Sequence, residues 1–157
     1  MKQLVEVRKA EREDVSGIEA LIEPFVADKV LLPRSQSQIV ADLPMTWVAS
    51  REGAVVGVMN LTFFKPNLYE VRGLAVDRSA HRMGLASKML TASLEFLRGK
   101  GESLIVFALT YIPQFFEAHG FSIVQKDNFP AKIYEVCQYC SQQHDCREIA
   151  VELNLDE

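Results

Sequence analysis

A mixed α/β fold, a sheet flanked by helices, is what this sequence predicts, and three observations carry the prediction. The first is a passage from strand to helix. Residues 71–76 form an apolar run of strand length, and Asp77, Arg78 and Ser79 break it. From Gly84 the spacing becomes helical, with Leu85, Met89, Leu90 and Leu94 near one face. The second is a hairpin, in which residues 47–50 and 55–64 flank the glycine-containing turn Arg51-Glu-Gly-Ala54. The third is an alternation of short elements along 157 residues, with no repeat and no low-complexity segment. That length suits one domain with a substantial core, so a single domain over 1–157 is expected.

In chain order, residues 4–7 read as an opening strand. Asp14 is placed to cap a helix whose apolar positions include Val15, Ile18, Leu21 and Ile22. Pro24 should bend or end that helix, and the apolar stretch 25–32 is irregular up to Pro33. Ser35 caps a second short helix through Leu43, which Pro44 stops. Lys65-Pro-Asn-Leu68 turns the hairpin's second strand into the 71–76 run. The helix opened by Gly84 reaches about Arg98, with Gly99 and Gly101 as its C-terminal punctuation. Residues 104–109 are a continuous apolar strand, 113–119 a short helix, and Gly120-Phe121 opens another strand. Ile149–Leu155 alternates apolar with polar, which suits a last strand with one exposed face.

Composition narrows the function classes. Apolar residues are 48% and charged residues 24%, ordinary globular usage. A formal charge of −4 argues against nucleic acid as a partner. No run of about 18 apolar residues exists to span a membrane. The start, Met1-Lys-Gln-Leu-Val-Glu-Val-Arg8, lacks the apolar segment and cleavage site of a secretory signal. Three cysteines, an odd number, do not make a disulfide framework, so the cytoplasm is the expected compartment. A homodimer is compatible with the chain, although no sequence feature demands one.

A strand that feeds a short cationic turn and then a helix is a phosphate site in outline. The first-turn N–H groups of a helix have no intrahelical partner, and the helix dipole adds partial positive charge there. Gly84 has no Cβ to hold an oxyanion off, and Ala86 adds little bulk two residues on. Arg78, His81, Arg82 and Lys88 surround the same point with basic groups. The P-loop is excluded because no Gly-Lys-Ser/Thr ending is present, and the dinucleotide fingerprint because the turn has one glycine.

His81-Arg-Met-Gly-Leu-Ala86 resembles the pyrophosphate loop of the GNAT superfamily of acyl-CoA-dependent N-acyltransferases, Gln/Arg-x-x-Gly-x-Gly/Ala, with His81 in place of the usual Gln or Arg. Leu74-Ala-Val76 supplies the strand ending that precedes that loop, and Gly120-Phe121 the later Gly-Phe pair. Leu31-Leu-Pro-Arg-Ser35, Glu70-Val-Arg-Gly-Leu-Ala-Val76, Leu109-Thr-Tyr111, Phe115-Phe-Glu117 and Lys132-Ile-Tyr134 follow one another in order. With Cys137, Cys140 and Cys146 they are similar to the short, single-domain bacterial N-acetylglutamate synthases over residues 5–155. Gly73 stands where those proteins commonly carry serine. The resemblance implies a mostly antiparallel central sheet, acetyl-CoA as cosubstrate, and L-glutamate as acceptor at the entry to arginine synthesis. It also implies cosubstrate contacts from Leu74, Ala75 and Val76, from His81, Arg82, Met83, Gly84, Leu85, Ala86 and Ser87, and from Phe116.

The residues themselves offer matching chemistry. Acetyl transfer to an amine needs a proton acceptor and stabilisation of a developing oxyanion. Glu70 and Arg72, two apart on one strand, share a face about 6–7 Å apart along the chain. Glu70 could take the ammonium proton through water, and Arg72 could hold a carboxylate bidentately. Arg34 could hold a second carboxylate, so two arginines suit a dicarboxylic amino acid. Against these stand a structural ion pair for Glu70 with Arg72, and plain solvent exposure for Arg34. The resemblance places the oxyanion donor at a backbone N–H near Leu74 or Ala75. It places a proton-donating tyrosine at the position held here by Phe116, which has no proton to give. Tyr111 is the substitute nearest in sequence, with a core aromatic as its other reading.

The segment 131–148 carries Cys137, Cys140, His144 and Cys146, ligand types for zinc packed within ten residues. That is tighter than the usual two-knuckle spacing. Three reduced thiols are the favoured reading, zinc the less favoured, and a Cys137–Cys140 redox pair the third. Two other functions stay open. One is a GNAT enzyme with a different amine acceptor: another amino acid, a polyamine or a protein N-terminus. The other is a non-catalytic acyl-CoA-binding regulator.

Overall fold

A computed structural model describes residues 5–29, 31, 33–101, 103–125 and 149–155. They fall into two units, Met1–Phe64 with Glu70–Gly101, and Lys65–Tyr69 with Glu102–Glu157. Among the described residues there are seven strands and four α-helices, the mixed α/β fold that the alternation predicts.

The first unit is built on strands β1 (Val5–Lys9) and β2 (Thr46–Arg51) with most of β3 (Ala54–Lys65) and β4 (Leu68–Val76), in that order across the sheet, Lys65–Tyr69 being counted with the second unit. β1 with β2 and β2 with β3 are antiparallel, with Val7 opposite Ala49 and Val48 opposite Val58. The β2–β3 turn works because Glu52 and Gly53 both take positive φ, +52° and +85°, as a two-residue hairpin of matching twist requires. Pro66 and Asn67 then reverse the chain, Asn67 at φ +69°.

Helix α1 (Val15–Ala27) buries Val15, Ile18, Leu21 and Ile22 in a cluster with Ile39, Val48, Val58 and Ala75. An end at Pro24 and a cap from Asp14 both need correction. The helix runs through Pro24 for three more residues, because Phe25 and Val26 pack on that cluster and outweigh one lost backbone bond. Asp14 stands at the N-cap position, but its carboxylate does not cap. It accepts from Arg8 Nη1 at 2.7 Å, from Arg8 Nη2 at 3.0 Å and from the Glu11 N–H at 2.7 Å. A bidentate charge-assisted pair outcompetes the ordinary cap bond. Helix α2 (Gln36–Asp42) begins as expected: the Ser35 hydroxyl accepts from the Gln38 N–H at 3.2 Å, and Gln38 Oε1 accepts from the Ser35 N–H at 2.8 Å.

Helix α3 (Leu85–Arg98) buries Leu85, Met89, Leu90, Leu94 and Leu97, the stripe its spacing predicts. Each such side chain contributes about 1.5–3 kcal/mol on leaving water. Trp47 meets Phe96 of α3 edge-on, with ring centroids 5.6 Å apart.

The second unit holds β5 (Leu104–Thr110), α4 (Pro113–Glu117), β6 (Ser122–Val124) and β7 (Ile149–Leu155), its strands in the order β5-β7-β6. β7 is antiparallel to both neighbours, with Val106 opposite Leu153 and Ile123 opposite Val151. The short helix ends at Glu117, two residues earlier than the pattern suggests. Tight turns follow instead, the His119 N–H reaching the Phe116 carbonyl at 2.9 Å and the Gly120 N–H the Glu117 carbonyl at 3.0 Å. No helix among the described residues is long and apolar enough to cross a membrane.

Candidate active site

Strand β4 supplies the middle of the site. Glu70 is 2% exposed, and Arg72 Nε stands 3.6 Å from its Oε1, so the two-residue spacing does bring the pair to one face. Directly after Arg72, Gly73 takes φ +61° inside the strand. Only glycine visits that region without cost, and the strand's regular pleat is interrupted just before Leu74 and Ala75.

Arg34 belongs to the same unit. It precedes the Ser35 cap, and its guanidinium runs back along α2 to an ion pair with Asp42 at the helix's far end. A Cβ at Gly73 would lie 3.7 Å from Arg34 Nη1, so the guanidinium crosses the strand where a side chain is missing. Burial holds the Arg34 pKa below its ordinary value; the Asp42 carboxylate opposes the shift and the positive charge of Arg72 adds to it. A guanidinium keeps its proton regardless. The sequence pointed to Glu70, Arg72 and Arg34 as an acceptor site, and the structure sets all three on one unit, with the arginines in each other's field. Asp42 is the member that sequence reading missed. Its separation of eight residues from Arg34 gives no pairing signal until α2 has formed.

The turn from β4 to α3 is the second part. The Asp77 side chain caps a 3₁₀ turn, Arg78–Ala80, by accepting from the Ser79 N–H at 3.0 Å and from the Ser79 hydroxyl. The Ser79 hydroxyl bond, then the backbone bond, hold the Asp77 carboxyl below its ordinary pKa. Arg82 and Gly84 both take left-handed φ, +74° and +70°, and Gly84 is the N-cap of α3. Backbone of this kind curls successive N–H groups toward one concavity, at the positive end of the helix dipole. A Cβ at Gly84 would meet nothing within 4 Å, so the loop is open to a group approaching there. Leu85 is buried, Met83, Ala86 and Ser87 are half-buried, and Arg82 and Lys88 are exposed. Leu74 and Val76 are half-buried and Ala75 is buried.

His81 explains its own departure from the loop pattern. Its Nε2 lies 2.9 Å from the Val76 carbonyl, so the imidazole turns back onto the strand it follows. A further residue missed by sequence reading is Arg51, which donates from the β2–β3 turn to the Ser79 hydroxyl at 2.8 Å and the Ser79 carbonyl at 3.2 Å. It braces the loop from 28 positions away, a contact that only the hairpin makes possible.

In the second unit Tyr111 is 45% exposed after the end of β5. Phe116 is buried edge-on between Phe115 and Phe121, with ring centroids 5.1 and 5.2 Å away. Cys137, Cys140, His144 and Cys146 lie outside the described residues. Among the described residues no cluster of three or more His, Cys, Asp or Glu could hold a metal.

Residues 9–121 match the family model for the acetyltransferase (GNAT) family. The chain belongs to the GNAT acetyltransferase family. Among GNAT relatives, it is 30% identical over 145 residues to an uncharacterized N-acetyltransferase of Chlorobaculum tepidum, covering 92% of this chain and 93% of that one. It is 29% identical over 136 residues to an amino-acid acetyltransferase of Mycobacterium tuberculosis, covering 84% and 77%. The N-acetylglutamate synthase of Neisseria gonorrhoeae, solved with coenzyme A and N-acetyl-glutamate, superposes with a TM-score of 0.81 at 24% identity. That match covers all of this chain and 36% of the Neisseria chain, and it establishes the shared GNAT fold. The protein is therefore an N-acetyltransferase.

Proposed function

We propose that this acetyltransferase, acting as one catalytic domain over 1–157 in the cytoplasm, moves an acetyl group from acetyl-CoA to the α-amino group of L-glutamate. The observation that carries the reading is the charge set on one unit: buried Glu70 facing Arg72, with Arg34 beside them. The relative named amino-acid acetyltransferase and the Neisseria enzyme with N-acetyl-glutamate support it. The net charge of −4 supports a small acceptor rather than a nucleic acid.

In this reading acetyl-CoA supplies an activated acyl thioester, and everything else comes from the chain. The open backbone of residues 82–86 holds the paired phosphates. Arg72 and Arg34 orient the acceptor through its two carboxylates. Glu70 draws the proton from the ammonium through water, freeing the lone pair that attacks. An N–H of Leu74 or Ala75, just past the Gly73 break, donates to the oxygen on which charge develops. The departing thiolate needs little acid help, since a thiol pKa near ~8.5 makes it a tolerable leaving group. Water or the Tyr111 hydroxyl can supply the proton.

A panel of amino acids assayed for thiol release from acetyl-CoA tests this. L-glutamate should give the highest kcat/KM. A thiol-release rate that is the same with and without every amino acid would contradict it.

A further inference from the structure

The ion pair between Arg34 and Asp42 assigns a role to a residue outside the reaction itself. Arg34 stands in the field of Arg72, which pushes it away, and its side chain is 20% exposed. Left alone, a long cationic side chain next to a like charge turns to solvent, because hydration and repulsion act in the same direction. Asp42 opposes both. Its carboxylate takes the Nη2 edge of the guanidinium from the C-terminal end of α2, while Nη1 is left over the Gly73 gap. A guanidinium has five N–H donors in a rigid fork, so one edge can be held while the other stays presented. The seven-residue helix α2, locked at its start by the Ser35–Gln38 capping box, is the spacer between Arg34 and its anchor.

We infer that Asp42 is a positioning residue that holds Arg34 across Gly73 beside Arg72, and so sets the preference for an acceptor with a second carboxylate. The inference rests on the acidic acceptor proposed above. Asp42 itself touches no substrate. Its carboxylate fixes where the second positive charge stands, and an acceptor carrying an amide in place of that carboxylate gains little from it. Gly73 belongs to the same device: a larger residue there would stand in van der Waals contact with the guanidinium and take the left-handed conformation at a cost.

The test compares wild type with Asp42→Asn and Asp42→Glu, using L-glutamate and L-glutamine as acceptors at saturating acetyl-CoA. Asp42→Asn should raise KM for glutamate about tenfold with kcat little changed, since one charge-assisted hydrogen bond is lost. KM for glutamine and for acetyl-CoA should stay within about twofold, so that discrimination between the two acceptors shrinks by the same tenfold. Asp42→Glu should restore most of it. Side-chain NMR of the substrate-free protein gives a second measurement: the Arg34 Nη2–H, identified by its loss in Arg34→Lys, should exchange slowly in wild type and fast in Asp42→Asn. Unchanged discrimination in Asp42→Asn, or an equal loss for both acceptors and acetyl-CoA, overturns the inference. If wild type does not acetylate glutamate at all, the proposed acceptor fails, and the exchange rates decide Asp42 by themselves. Equal exchange in the two proteins would then overturn the hold of Asp42 on Arg34.

Discussion

In the proposed reading, the two ends of the candidate site recognise anions in opposite ways. At the acceptor end the work falls to charged side chains: buried Glu70 at 2% exposure, half-buried Arg72 beside it, and Arg34 clasped by Asp42. At the donor end it falls to backbone. Gly84 and Arg82 curl the chain, while the His81 imidazole turns back to the Val76 carbonyl. The difference follows from the ligands. Paired phosphates are common to every acyl-CoA and can be met by amides that any sequence provides. An acceptor must be told from its near neighbours, and only side chains carry that information. The acceptor end should therefore be sensitive to residue identity and the donor end to backbone conformation.

The largest effect should come from Glu70→Gln. Removing the proton acceptor should lower kcat by about 10²–10³-fold with KM for acetyl-CoA unchanged, as measured by steady-state thiol release. Next, Gly84→Val places a β-branched residue at φ +70°, a strain of about 1–3 kcal/mol. It should raise KM for acetyl-CoA about tenfold while leaving KM for glutamate alone. Its counterpart at the same loop is His81→Ala. This should change KM for acetyl-CoA by less than about threefold, because the imidazole serves the strand and not the phosphates. A large rise on His81→Ala would break the comparison, since it would put side-chain recognition at the donor end.

The scaffold beneath both ends offers the smallest effect and a control. The Arg8 pair, first through its hydrogen bond, holds the Asp14 carboxyl below its ordinary pKa. The pair's stability contribution is then complete above the ordinary carboxylate pKa of 3.8 and is lost as pH falls through the lower, folded-state value. Asp14→Asn should cost about 1 kcal/mol at neutral pH, allowing for partial solvent screening, and lose less stability on acidification than wild type. Urea denaturation at neutral and acid pH measures this. Neither KM should move.

How much of this was legible in the sequence follows the same division. Features set by neighbours along the chain were readable: the Ser35 cap, the Glu52-Gly53 turn, the α3 stripe and the glycine that opens it. Features set by packing were not. Pro24 inside α1 is tolerated because the half-buried Phe25 and Val26 pack against the core cluster, and Asp14 leaves its cap for Arg8, a residue on β1. At the site, the same-face pairing of Glu70 with Arg72 follows from strand period alone. The left-handed turn of Gly73, the anchoring of Arg34 by Asp42 and the bracing of the loop by Arg51 all need the tertiary structure. A glycine in an apolar run marks a place where the chain can bend without saying which way it does.

Full kinetic parameters for Arg72→Ala against both substrates test the central division most directly. If side chains read the acceptor and backbone reads the donor, KM for L-glutamate should rise at least about tenfold while KM for acetyl-CoA stays within about twofold. Equal changes in the two constants, or a rise confined to acetyl-CoA, would contradict it.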